Sequence, residues 1–168
     1  MTERTSFNRA GVGRAGGGLS NVLLLASVRR PELRQRRNLF VAALVLRLAG
    51  AGLLAWIGWV HYFLWSGSGG GYHFIPTVGP FFLLDAIAGV VLAVLLLAWP
   101  RPLAGLLAAG FVGSTILALL ISLWFGLFGF HERIGASYVV LALVSESIAV
   151  VILLAWTVIA ARALPPRR

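Results

Sequence analysis

Four stretches of this chain are almost unbroken apolar sequence, about 39 to 64, 79 to 99, 103 to 128 and 135 to 161. Each reaches the roughly 20 residues that a helix needs to cross about 30 Å of hydrocarbon. An isolated span can satisfy its backbone in lipid only internally, so the pattern predicts four transmembrane α-helices. The segments between them, "WSGSGGGYHFIPTVGP", "PRP" and "FGFHERIG", carry the Gly and Pro punctuation of surface turns. The expected fold is all-α, a transmembrane four-helix bundle whose membrane domain occupies residues 38 to 161.

Residues 1 to 37 read as a basic tail. Up to residue 18 the tail is rich in Gly, Arg, Ser and Thr, with too little apolar surface to offset the entropy of ordering, and disorder is expected there. "LSNVLLLASVRR", with an interfacial helix expected over 19 to 30, could pass for a signal-peptide core. However, Arg29 and Arg30 stand where a small-residue cleavage site would be needed. Pro31 then predicts an interruption before the first span. A basic C-terminus, 162 to 168, closes the chain.

Composition agrees with a membrane protein: 60% of residues are hydrophobic and the mean hydropathy is +0.93. All 14 basic residues are Arg, against 5 acids, for a net charge of +9. With no Cys, disulfides, thiolate metal sites and cysteine nucleophiles are excluded. Twelve of the fourteen arginines lie in the N-terminal segment, at Arg101 in the second connection, or at the C-terminus. The positive-inside rule then places both termini in the cytoplasm and the chain in the plasma (inner) membrane. Trp59, Tyr62, Phe63, Trp65, Trp124, Phe125 and Tyr138 suit an outer aromatic belt, with Trp99 and Trp156 nearer the inner face. The tail lacks the interleaved aromatics and folded frame of a nucleic-acid site, so its charge fits attraction to anionic lipid and no nucleic-acid partner is expected.

Two charges fall inside the spans. Taking each span's midpoint as the membrane centre puts Arg47 about 6 Å to one side and Glu146 close to the middle. Intramembrane charges usually face the bundle interior and pair, so an Arg47–Glu146 ion pair is expected to tie the first helix to the fourth. The alternatives are that Arg47 snorkels to the headgroups and that Glu146 is protonated and bonded to Ser145 or Ser147. His61, His73, Asp85, His131 and Glu132 form a second polar group near the opposite, outer ends. Their residue types suit zinc or copper, but no two have the spacing of a metal motif, so no metal site is expected and ordinary hydrogen bonding is the plain reading. The first connection is expected to fold over the bundle mouth on Tyr72, Phe74 and Ile75, bringing His73 near Asp85 or His61.

Small residues mark packing faces. Arg47, Gly50, Leu54, Gly58 and His61 recur at spacings of three and four on the first helix. On the third, Gly110, Ser114, Ala118, Ser122 and Gly126 form a ridge of every fourth residue, beside a second set, Gly105, Ala109 and Gly113. In lipid, small side chains let backbones approach, which signals helix contact within the chain or with another chain.

"RLAGAGLLAWIGWVH" resembles the first-helix pattern of DoxX-like membrane proteins: Arg-Leu, a glycine a turn later, then another glycine and a basic residue. "LLDAIAGVVLAVLLL", residues 83 to 97, is similar to that family's second helix, where an acid is followed a turn later by glycine. Arg47, Gly50, Gly58, His61, Asp85 and Gly89 take the family positions, with His61 where lysine is common and Asp85 where glutamate is common. The four-span layout and the all-Arg, Ala-rich composition are also similar to those of small actinobacterial membrane proteins. The resemblance implies a four-helix bundle that accompanies oxidoreductase systems, in some cases as a quinone-linked subunit.

Three functions remain open. The first is a non-catalytic subunit or scaffold, with no catalytic residues and no cofactor, docking a membrane-protein partner or a second copy of itself. The second is a quinone-linked redox subunit, with the quinone near His61, Trp65 and Asp85. The third is a small proton-coupled transporter using Glu146 as carrier.

Overall fold

The computed structural model describes the backbone of residues 17–136 and 138–163 and the side chains of residues 34–136 and 138–162. The tail expected to be disordered up to residue 18, and the C-terminus from 164, therefore lie wholly or almost wholly outside the described residues. Four α-helices follow one another: α1 Gly17–Trp65, α2 Val78–Ala98, α3 Pro102–Trp124 and α4 Val139–Ala163. The backbone of α1 is helical through Pro31, where an interruption was expected. The chain divides between Asn38 and Leu39 into two units.

Each helix contains a stretch long and apolar enough to cross a membrane, Arg34–Trp65, Val78–Ala98, Pro102–Trp124 and Val139–Arg162. The protein is thus an all-α, four-span membrane protein, as the apolar pattern predicts. Two boundaries differ. The third span stops at Trp124 instead of 128 and the fourth starts at Val139 instead of 135. Gly126 and Gly129 take positive φ angles of 80° and 79°, a conformation open to Gly because it has no Cβ. They fold the apolar residues Leu127 to Phe130 into a tight turn closed by Leu127–Phe130 backbone hydrogen bonds of 2.7 and 2.9 Å.

The bundle has a packed half and a hollow half. The packed half is centred on Ala51, Leu54 and Ile57 of α1, Ala93 and Leu96 of α2, Ala104 to Val112 of α3, and Ala149, Leu153 and Trp156 of α4. Seven of the thirteen residues of this core are Ala. That suits a bilayer, where close van der Waals approach of backbones, not burial of large apolar groups, holds helices together. Trp156 is buried in this core, because Gly105 makes room for it: a Cβ there would stand 2.6 Å from the indole.

Two glycines fix α1 against α2. A Cβ on Gly89 would lie 2.9 Å from the Gly58 Cα and 2.9 Å from the Leu54 carbonyl oxygen. One on Gly58 would lie 2.8 Å from the Ala86 carbonyl oxygen. Gly50 faces Leu153 and Leu96, at 3.0 and 3.4 Å from its Cβ position. The ridge on α3 behaves differently. Gly110 is exposed with nothing within 4 Å of its Cβ position, Ser114 and Ala118 line a cavity, and Gly126 lies beyond the end of α3. Residues four apart drift about 40° around a helix at each step, so the ridge winds from a bare flank into the interior. The buried face of α3 runs through Ala104, Gly105, Ala108, Ala109, Val112 and Thr115 to Ser122, the one ridge residue that is buried.

Candidate functional site

In the hollow half the four helices enclose a cavity of about 410 Å³, within the size range of small-molecule sites. α1 contributes His61 and Leu64, α2 Phe81, Phe82 and Asp85, α3 Ser114 to Ser122, and α4 Val139, Ala142 and Glu146. Tyr72 from the first connection and Leu127, Phe128, Phe130 and Glu132 from the third close one end of it. Phe81, Ser114 and Phe128 line the cavity and are exposed on the bundle's surface. The cavity therefore reaches the flank between α2 and α3. There the rings of Phe81 and Phe128 stack, 5.6 Å apart and 8° from parallel.

The floor is polar. His61 Nδ1 lies 2.9 Å from the Ile57 carbonyl oxygen one turn back on α1, and since a carbonyl only accepts, Nδ1 donates. Nε2 is thereby turned toward two carboxylates, 3.9 Å from Asp85 Oδ2 and 3.9 Å from Glu146 Oε1. Both separations exceed hydrogen-bond length, leaving His61 between two acids without a bond to either. Glu146 is 2% exposed, and its Oε2 is buried with no hydrogen-bond partner. Thr115 lies beside it, but its hydroxyl donates to the Val112 carbonyl at 2.8 Å. A buried acceptor left unmade is costly and invites a functional explanation.

Arg47 and Glu146 do not meet. Arg47 Nε donates to the Leu96 carbonyl at 2.9 Å and its Nη2 donates to that of Leu97. These carbonyls belong to the last turn of α2, where helical partners run out and the helix dipole favours a cation. Glu146 lies at the level of His61, fourteen residues beyond Arg47 and so about 21 Å further along α1. The expected pair fails because α4 begins at Val139, which moves Glu146 from the middle of its helix toward its N-terminal end, and because Arg47 caps α2.

The outer polar group is only partly assembled. His61 and Asp85 come together. Glu132 joins Tyr72 instead: the phenol donates to Glu132 Oε2 at 2.7 Å, linking the first and third connections. Burial, then the hydrogen bond and charge of Glu132, push the Tyr72 phenol well above its usual pKa, so it stays a donor at physiological pH. His73 Nδ1 lies 2.7 Å from the Trp65 carbonyl oxygen, away from the expected Asp85 or His61. The His131 ring rests against Gly126 in the third connection. The expected cap is present in Tyr72, which stacks on Phe82 at 4.4 Å, but Phe74 is 79% exposed and Ile75 half-buried. Among the described residues no group of three or more His, Asp or Glu side chains is placed to hold a metal ion. Phe82, Phe130 and Thr115 carry no signal of a site in the sequence, because only the folded bundle turns them toward one space.

No family model, curated protein or solved structure matches this chain. The resemblance of the first two spans to DoxX-like proteins is thus not supported as a family assignment.

Proposed function

We propose that this protein is a membrane-embedded binding module that takes a small amphiphilic molecule from the bilayer through the α2–α3 flank. The polar end rests on His61, Asp85 and Glu146, and the apolar body lies among the aromatic walls. The observation that carries this reading is the buried Glu146 Oε2 without a partner at the floor of a ligand-sized cavity. Placement of the arginines supports an orientation with both termini in the cytoplasm and the floor nearer the outer face. Docking of a partner or second copy retains the bare Gly110 flank as its support. The quinone-linked reading rested on the DoxX resemblance and has no separate support.

A second reading has its own observation. His61 Nε2 is equidistant from Asp85 and Glu146, an arrangement through which a proton could pass, as in proton-coupled transport. Proton-driven flux in liposomes that is abolished by Glu146→Gln would favour it.

The binding reading is tested by native mass spectrometry of the protein released from mild detergent, compared with Ala118→Phe, whose ring fills the cavity. A bound mass present in the first and absent from the second is expected. Equal occupancy in both would refute it.

A further inference from the structure

We propose that the cavity selects a cation, specifically a small organic ammonium, on the reading above that it holds a small molecule. The charge distribution argues for this. Of the five acids, Glu3 and Glu32 precede the four-span unit, and the other three, Asp85, Glu132 and Glu146, all line this one cavity. Among the described residues no arginine does, although the chain is strongly basic overall. In a bundle surrounded by lipid, carboxylates so placed must be balanced by protons or by a cation.

An unpartnered buried acceptor adds a second, independent observation. Glu146, 2% exposed and lining the cavity, has an Oε2 that no donor reaches. An ammonium group supplies a donor and a charge together, and a quaternary one supplies the charge alone.

The walls add a third. Tyr72, Phe81, Phe82, Phe128 and Phe130 surround the cavity. With the Tyr72 hydroxyl already committed to Glu132, these residues present ring faces and edges. Ring faces attract cations, more strongly when desolvated, and repel anions. An anionic head would meet three carboxylates and, among the described residues, no arginine.

The test uses the full chain in nanodiscs and equilibrium dialysis with three probes that share a benzyl body: benzyltrimethylammonium, its uncharged isostere neopentylbenzene, and benzylsulfonate. Empty discs give the lipid background. The cation is expected to bind about tenfold or more tighter than the isostere, and the sulfonate not at all. Glu146→Gln and Asp85→Asn, both isosteric, are each expected to weaken the cation about tenfold and to leave the isostere unchanged. The panel on the unaltered protein decides even where a variant fails to fold. Equal binding of cation and isostere would overturn the cation inference and leave the cavity reading standing. Binding of no probe, together with equal native-mass occupancy in Ala118→Phe, would overturn both.

The ammonium could belong to a lipid headgroup or to a free amine. Discs of phosphatidylcholine and of uncharged digalactosyldiacylglycerol separate the two. A headgroup occupant makes benzyltrimethylammonium bind only in the second, and a free amine makes it bind equally in both. Either result supports the cation, and failure in both lipids contradicts it.

Discussion

His61 Nε2 of α1 stands 3.9 Å from Glu146 Oε1 of α4 across the floor of the cavity, at a level that Arg47 does not reach. The two side chains are close enough to influence each other's cost of burial. Residues that interact within one buried group couple by about 0.5 to 3 kcal/mol, whereas distant ones add within about 0.5 kcal/mol. In thermal unfolding of single and double variants, His61→Ala and Glu146→Gln are expected to be coupled, and Arg47→Leu and Glu146→Gln to add. Arg47→Leu alone is expected to cost about 1 to 2 kcal/mol, from the lost bonds to the last carbonyls of α2.

The α1–α2 crossing predicts a contrast between two glycines. Gly89→Ala places a methyl 2.9 Å from the backbone at Gly58 and Leu54, where neither neighbour is a flexible side chain. It is expected to destabilise the bundle by about 1 to 3 kcal/mol. Gly110→Ala meets open space and removes a poor helix former, so the change is expected to be neutral or stabilising by up to about 1 kcal/mol. Unfolding of both variants in one detergent reads the difference. Were Gly110→Ala the more damaging, the flank of α3 would be packed against another chain.

These two glycines also indicate what could be read from the sequence. The four spans were legible because lipid leaves a spanning backbone no alternative to the helix, and Gly58 and Gly89 because close approach demands small residues. The Arg47–Glu146 misreading arose where composition stops distinguishing helix from loop: the fourth apolar stretch runs from 135, whereas α4 begins at Val139. Counting residues 135 to 138 toward the helix shifts the midpoint that places Glu146. Which way a side chain faces among four helices is not encoded in hydropathy, so the cavity was invisible, although all three acids that line it are plain in the sequence.

Closure of the outer end predicts a third outcome. The Tyr72–Glu132 hydrogen bond links the first and third connections, beside an edge-on contact of the Tyr72 and Phe130 rings, and a bond to a charged acceptor contributes about 1.5 to 3 kcal/mol. Tyr72→Phe keeps the ring on Phe82 and loses only that bond. Hydrogen exchange of residues 70 to 75 and 130 to 133 is expected to speed up, with the packed half unaffected. Unchanged protection in both connections would mean that ring stacking alone holds the cap.

The binding cavity itself is best tested by thiol protection, because the chain contains no Cys and any introduced one is unique. Ala118→Cys places a thiol in the cavity wall, and Gly110→Cys places one on the bare flank of the same helix. Each is reacted with methyl methanethiolsulfonate in nanodiscs, with and without saturating benzyltrimethylammonium. The account predicts that the Ala118→Cys thiol reacts about tenfold more slowly when the probe is present, while the Gly110→Cys rate does not change. Equal Ala118→Cys rates with and without the probe, at a concentration where dialysis shows it bound, would contradict the account.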